Sequence, residues 1–292
     1  AKRAAVPERR PAPPNFEAGT QGYGRVNARN TTADRQTIMP TGAAFVTPEA
    51  AQDHAVPGAS LFRGGESKGI ANSSCVQQTQ GGLIPQKERD FTILPAALRS
   101  FALAHRTEGR YDAMWPHIRE FREAYGDAGP GNFVEFLKRF EKELDQFVAE
   151  FEIVPGQIGA LVLIGGKVVG IERAPTVAFW EKLWTPLIRV CYGSLALKVG
   201  RTNRALPSSR VPLAKASSID GLRTALAASK AAADQLVLQV ATAVKAKVLG
   251  DQTESEKLGQ ARVLTVASQE YAGQVVQNGG KSVYASICVA AA

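Results

Sequence analysis

The residues with the richest chemistry fall in one polar, glycine-punctuated stretch, residues 61–83. Two cationic side chains there could attract an anion, and three glycines would let backbone amides approach it closely. Neutral donors and acceptors follow, so the stretch suits a phosphate or a sugar better than an apolar ligand. The predicted ligand-binding residues are Arg63, Gly64, Gly65, Lys68, Gly69, Asn72 and Gln77. The alternative is a polar loop that satisfies its own backbone through turns.

Two residues of the same stretch are candidates for catalysis. Glu66 is its only acid between residues 63 and 78 and could act as a general base. Cys75 could act as a nucleophile, but most buried cysteines pack as small hydrophobic residues. The sequence therefore favours a packing role for Cys75.

Motifs for a cofactor or a metal are missing from the sequence. The three histidines, His54, His105 and His117, have no cysteine or carboxylate at a ligand-like spacing, and no HExxH or CxxC occurs. The phosphate-binding glycine motifs and the nucleophile elbow are also absent. We therefore expect no cofactor and no metal, and we favour a non-catalytic protein over an enzyme.

The net charge of +8 is concentrated near the start of the chain. Residues 1–30 contain six basic residues against two acidic ones, together with four prolines, and show no hydrophobic period. This composition predicts an extended basic arm that could bind nucleic acid or an acidic partner surface, or could only be a solubilising tail. The predicted partner-binding residues are Lys2, Arg3, Arg9 and Arg10.

The composition, 45% hydrophobic and 21% charged, is typical of a soluble globular protein. No apolar run approaches the roughly 20 residues of a membrane helix, and no signal peptide is visible. The three cysteines are widely separated and odd in number, so they predict no disulfide framework. We therefore expect a protein that does not contact a membrane and lies in the cytoplasm or within a phage particle.

Local sequence signals predict two hairpins and several helices. Gly165-Gly166 and Asn278-Gly279-Gly280 each join two Val-rich runs, which predicts tight β-hairpins. Thr176 is a predicted N-cap of the helix that follows the first hairpin. Apolar spacing predicts further helices over residues 95–105, 115–125 and 132–151, whereas the charged residues 250–259 resemble a loop.

These elements predict an α+β fold, with antiparallel hairpins and with helices packed on one face of the sheet. We expect one domain over residues 31–292, with subdomains over 31–155 and 156–292 as an alternative. The two hairpins share the pattern Gly-Gly-Lys before a valine, in VLIGGKVV and VQNGGKSV. An internal duplication and shared turn chemistry explain this echo equally well.

Several segments of this sequence resemble one domain family of bacteria and phages. The resemblance is carried by Gly156 to Ala160, by the hairpin through Gly170, by Trp184, Leu187 and Tyr192, and by the strand pair Tyr271 to Val289. The family is named for its association with ADP-ribosylglycohydrolase and rhodanese-phosphatase proteins. Ser74-Cys75-Val76-Gln77 is similar to its Ser-Cys-Val-Glu segment, and Tyr284 or a neighbour stands where the family has a histidine.

The resemblance implies a role near nucleotide or ADP-ribose metabolism in bacterial conflict systems, and brings no established reaction. If the family's glutamate is catalytic, Gln77 implies that this chain only binds. We therefore rank three functions: a non-catalytic binding or interaction domain, a structural subunit of a homo-oligomer or phage particle held by the basic arm, and an enzyme acting on a nucleotide or ADP-ribose-like substrate.

Overall fold

The computed structural model describes residues 15–20, 23–45, 52–79, 91–164, 167–202 and 252–290. Antiparallel sheets combine there with helices, which confirms the α+β class. The strands in chain order are β1 (Phe16–Thr20), β2 (Val26–Asn30), β3 (Thr37–Met39), β4 (Ala43–Phe45), β5 (His54–Ala55), β6 (Ser60–Phe62), β7 (Ser67–Ile70), β8 (Ser74–Cys75), β9 (Thr92–Ile93), β10 (Gly159–Ile164), β11 (Lys167–Arg173), β12 (Gln252–Leu258), β13 (Ala261–Ala267), β14 (Tyr271–Asn278) and β15 (Lys281–Val289).

The largest sheet has six antiparallel strands in the order β10-β11-β15-β14-β13-β12. Its hairpin between β14 and β15 confirms the prediction from the sequence. Gly279 and Gly280 have φ angles of 56° and 80°, which glycine adopts without steric cost. The second predicted hairpin also forms, because β10 pairs with β11, and its turn at residues 165–166 lies outside the described residues.

Three smaller sheets come from the first third of the chain, in the orders β1-β2-β7, β3-β6 and β8-β5-β4-β9. β1 and β2, which lie in the part of the chain that the sequence assigned to an extended arm, pair with each other, and β2 also pairs with β7. The regular alternation of buried and exposed residues in β2 is typical of a half-buried strand. Lys2, Arg3, Arg9 and Arg10 lie outside the described residues, so their partner-binding role stays a prediction.

The helices are α1 (Ala96–Ala104), α2 (Met114–Glu123), α3 (Phe133–Arg139), α4 (Glu141–Ala149), α5 (Val177–Pro186) and α6 (Gly193–Thr202). The π-helical segment Leu187–Tyr192 joins α5 to α6. Thr176 caps α5 as predicted, because its Oγ1 accepts a hydrogen bond from Phe179 N at 3.1 Å.

One predicted helix is divided. Residues 132–151 form α3 and α4, with a break at Phe140, whose φ and ψ of −107° and 18° are not helical. Phe140 stays buried and packs against Tyr125 and Phe136. The hydrophobic period continues in phase across the break, so spacing alone could not reveal it.

The predicted charged loop at residues 250–259 is also corrected. Residues 252–258 form the edge strand β12, which pairs with β13. Most of its side chains are exposed, so the strand lacks the apolar alternation by which a half-buried strand is recognised.

The main core joins both ends of the chain. Met39, Phe45 and Phe62 from the first third belong to the same buried cluster as Trp180 and Tyr284. A second cluster lies under α1, α2 and α3 and includes Ala55 and Val76. The short strands β5 and β8 are held against this second cluster, and they carry the candidate site.

Candidate functional site

A cysteine and a histidine meet in the interior between β5 and β8. The two strands are antiparallel, and their register places His54 directly opposite Cys75. Directly opposed residues have neighbouring side chains, and Cys75 Sγ lies 3.2 Å from His54 Nε2. Both residues are fully buried. The sequence had considered Cys75 alone, whereas the structure supplies a thiol–imidazole pair.

Gln77 and Asp53 extend this pair into a buried polar cluster. Gln77 Nε2 donates to Asp53 Oδ2 at 3.3 Å, and Gln77 Oε1 accepts from Val134 N, at the start of α3, at 3.2 Å. Both Gln77 and Asp53 are 0% exposed. The amide of Gln77, which was predicted to bind a ligand, is therefore already hydrogen-bonded in the protein interior, where it both donates and accepts.

Burial sets the protonation states of the pair. Loss of hydration lowers the pKa of His54, against the opposing charge of Asp53. Loss of hydration also raises the pKa of Cys75 to about 12, and Asp112 raises it further, while the Gly24 backbone opposes the shift. Near pH 7 the thiol is therefore protonated and the imidazole is neutral. Such a pair has a base beside a nucleophile but holds no thiolate.

The orientation of the imidazole is consistent with the neutral form. The backbone of Gln52 hydrogen-bonds to the ring, and Gly24 N donates to His54 Nε2 at 3.4 Å. Nε2 is therefore the acceptor nitrogen of the neutral ring, and in this tautomer the Cys75 thiol at 3.2 Å shares its single lone pair with Gly24 N.

Two tyrosines lie next to the pair. Tyr111 O accepts from Cys75 N at 2.8 Å, so the tyrosine backbone holds β8. The Tyr23 ring stacks on the Tyr111 ring, with centroids 5.1 Å apart and planes inclined by 23°. Tyr23 is 57% exposed, and the rings of Tyr111 and Trp115 meet edge to face with their centroids 6.0 Å apart.

Gly24 packs closely against Tyr111. Its φ of +72° lies in the left-handed region, and a Cβ there would come within 2.9 Å of Tyr111 Cβ. The backbone of Gly24 thus lies against Tyr111 on one side and reaches His54 on the other.

The remaining predicted ligand residues lie at a tight turn and on β7. The backbone of Gly64 lies against Ala33 and leaves no room for a Cβ. Glu66 Oε2 accepts from Arg63 N at 2.5 Å, so the candidate base is used in capping its own turn. Arg63 and Gly65 are exposed at this turn.

Lys68 and its neighbours are engaged with other strands. Lys68 Nζ forms an ion pair with Glu256 on β12, donates to Leu61 O at 2.6 Å, and lies 4.6 Å from the centre of the Phe62 ring. Gly69 pairs with Asn27 on β2. Asn72, with a positive φ of 57°, donates from Nδ2 to Arg106 O at 2.7 Å. The structure thus brings Cys75 and Gln77 into one cluster, and it separates them from the charged turn. The anion-binding role of the turn stays a prediction.

A second buried polar cluster lies between α1 and the six-stranded sheet. Arg99 Nη2 pairs with Glu172 Oε1 at 3.1 Å, and Tyr192 Oη donates to the same oxygen at 2.6 Å. Arg99 Nη1 donates to Ser286 Oγ at 2.8 Å. Burial raises the pKa of Glu172, and the charge of Arg99 opposes that shift. Since Arg99 and Glu172 are both buried, this cluster ties α1, β11 and β15 together and offers no open face to a ligand.

Tyr284 has a structural partner as well. This residue of β15 stands where the resemblance suggested a histidine, and its Oη accepts from Thr41 N at 3.0 Å. It therefore links the C-terminal sheet to the start of the chain. Within the described ranges, no group of three or more His, Cys, Asp or Glu residues is arranged to hold a metal ion.

The missed residues of the site are His54, Asp53, Tyr23 and Tyr111. Histidine is rare in this chain, and this rarity was the one sequence signal for His54. No comparable signal in the sequence indicated Asp53, Tyr23 or Tyr111. His54 and Cys75 are 21 positions apart and meet only through strand pairing.

Comparison with family models assigns the chain. The model of the ARG and Rhodanese-Phosphatase-superfamily-associated Protein domain, ARPP-1, matches residues 19–287. The chain therefore belongs to this family, as the resemblance indicated. Comparison with curated proteins and with solved structures gives no significant match. In the part of the chain that the structure describes, no helix has the length and apolarity to cross a bilayer.

Proposed function

We propose that this protein is a non-catalytic binding domain whose ligand stacks on the surface formed by Tyr23 and Tyr111. The observation that carries the proposal is the exposure of Tyr23, a residue that is 57% accessible to solvent while its ring stacks on Tyr111. An exposed aromatic residue whose ring is held by a stacking neighbour favours a planar ligand, because a second ring can stack on it.

Charges beside the two tyrosines favour a ligand that also carries phosphate. Arg25 and Arg110 each lie within two residues of one of the tyrosines, and both are exposed. Arg110 pairs with Asp112 at 3.3 Å, but the pair is open to solvent and therefore weak. A guanidinium binds phosphate oxygens well, so the combination fits a nucleotide or an ADP-ribose-like molecule. The family's name, which associates it with ARG proteins, supports the same class of ligand.

The protonation of the buried pair supports binding over catalysis. With the Cys75 pKa at about 12, few molecules carry a thiolate near neutral pH. The other candidate for catalysis, Glu66, caps its own turn. Neither group offers a ready nucleophile or a free base.

Titration calorimetry with ADP-ribose and with AMP tests the proposal. Tyr23→Ala should weaken binding about tenfold or more, since stacking on an aromatic ring contributes on the order of 1–3 kcal/mol per base. Tyr23→Phe keeps the ring and should bind nearly as well as the wild type. Arg63→Ala, at the distant turn, is the matched control and should leave the affinity unchanged. Loss of affinity in Arg63→Ala with retention in Tyr23→Ala would place the ligand at the turn instead.

A thiol-dependent enzyme is the second candidate, and the 3.2 Å contact between Cys75 and His54 is what favours it. On this alternative the protein consumes a nucleotide or an ADP-ribose derivative, and Cys75→Ser abolishes the turnover. Iodoacetamide distinguishes the two candidates at pH 7. The binding proposal expects Cys75 to react far more slowly than a free thiol, whereas rapid alkylation that stops a measured turnover would establish the enzyme.

A further inference from the structure

The edge strand β10 is unusually apolar. Its sequence, GALVLI, has no charged residue and no proline, and all six of its residues are partly exposed. Among the described strands it has one neighbour, β11. Ala160, Val162 and Ile164 pack against the main core, while Leu161 and Leu163 alternate with them. The second edge of β10 is therefore neutral and hydrophobic on both faces, and the register of β10 with β11 shifts between Val162 and Leu163.

The opposite edge of the same sheet is different. The sequence of β12 is QTESEKL, with Glu254, Glu256 and Lys257 along it. Charged side chains on an edge strand oppose pairing with another chain, and β12 has this protection while β10 lacks it. The β10 edge therefore lacks the charges that would oppose pairing with another strand.

Apolar surface continues from β10 toward α4. The large hydrophobic residues exposed in the described ranges are Tyr23, Phe151 and Val154, and two of the three lie in the segment that leads from α4 into β10. Phe151 is 39% exposed and its ring contacts Phe147, while Val154 is 64% exposed. Exposed apolar groups concentrated beside an open strand are typical of a protein interface.

We propose that β10 pairs with β10 of a second copy of this chain, so that two six-stranded sheets join into one continuous sheet across a two-fold axis. The absence of charge is the reason to assign the same chain as the partner. In a two-fold interface the same surface of each copy is in contact, so a charged residue near the axis would face the same residue of the other copy, and the like charges would repel. β10 carries no charge that would oppose such pairing. An antiparallel copy would pair with the outer edge of β10 beyond Gly159, whose carbonyl already accepts from Gln157 Nε2 at 2.9 Å.

The native mass of the full chain tests the pairing. We expect a dimer by light scattering at micromolar concentrations, and half that mass for the variant Leu161→Lys/Leu163→Lys, because lysine on the edge blocks pairing. Thr253→Lys, on the exposed β12 edge, is the matched control and should keep the dimer mass. A wild-type monomer, or a double variant that folds and stays dimeric, would overturn the proposal.

Hydrogen exchange on the wild-type protein gives a second test that does not depend on the folding of a variant. Amides of residues 159–164 should exchange more slowly as the protein concentration rises, while those of β12 should not change. Protection of β10 that is independent of concentration, in a monomer, would mean that another part of the same chain covers the edge, and would also overturn the proposal. Both tests are independent of ligand binding at Tyr23.

Discussion

Gln77 donates a hydrogen bond from Nε2 to Asp53 Oδ2, at a distance of 3.3 Å, in an interior where neither residue is exposed. The family segment that resembles residues 74–77 has glutamate at this position. A glutamate carboxylate could not donate to Asp53 unless it were protonated. The amide of Gln77 therefore gives Asp53 a neutral donor, whereas an acid would place two carboxyl groups together.

Gln77→Glu should therefore destabilise the protein by about 2–4 kcal/mol at pH 7, because a buried carboxylate would face Asp53 and lose the donor. Urea unfolding at several pH values measures the effect. The loss should be smaller at lower pH, because a protonated carboxyl group at position 77 could again donate to Asp53. Gln252→Glu, the same change at an exposed site, should be close to neutral, and an equally mild effect of Gln77→Glu would contradict the buried geometry.

The stability of the folded protein should fall as the pH drops from 7 to 5. Burial lowers the pKa of His54 from 6.5, so below this value the unfolded chain binds more protons than the folded one. The contribution is complete above the unfolded pKa and is lost as the pH falls toward the folded pKa. Thermal unfolding of His54→Gln should show a flatter pH dependence, while His117→Gln, at a partly exposed site, should resemble the wild type.

Gly24→Ala should cost more than the same change at another glycine of similar φ. Gly24 and Gly156 have φ angles of +72° and +79°, but a Cβ at Gly24 meets Tyr111 whereas one at Gly156 meets open space. Both variants incur backbone strain of about 1 kcal/mol, and Gly24→Ala adds an overpacking cost of about 1–3 kcal/mol. Denaturant unfolding measures the difference. Equal losses would mean that Gly24 does not support the tyrosine pair.

Replacing Arg99 should lower the free energy of unfolding far more than replacing a surface arginine. Arg99→Met leaves Glu172 buried without its partner, which costs on the order of 3–5 kcal/mol. The double variant Arg99→Met/Glu172→Met should recover part of that loss, because no buried charge is left. Arg110→Met, which breaks an exposed pair, should cost less than about 1 kcal/mol. A double variant no more stable than Arg99→Met would show that the pair is not the source of the cost.

Lys68 should contribute to stability through Glu256. In a double-mutant cycle with Lys68→Met and Glu256→Gln, we expect a coupling of about 0.5–1 kcal/mol that decreases with added salt. A coupling of zero would contradict this role. If Lys68→Met also lost affinity for a phosphate-bearing ligand, the result would support the ligand-binding role that the sequence suggested for Lys68.

The sequence by itself determined those helices and turns whose conformation depends on residues a few positions away along the chain. The glycines at 279–280 permit a two-residue turn, Thr176 supplies an N-cap oxygen, and the apolar spacing of α1 and α2 indicates helices. Each of these preferences acts within a few positions along the chain. The family resemblance likewise rested on such local patterns.

Only the tertiary structure decided which of these elements meet. His54 reaches Cys75 because β5 and β8 pair in one register, and Lys68 reaches Glu256 across 188 positions. The charged residues of β12 form a strand because β13 offers them backbone partners, and the break at Phe140 accommodates packing against Tyr125. Contacts of this kind depend on strand register and on the packing of distant residues, which local preferences do not encode.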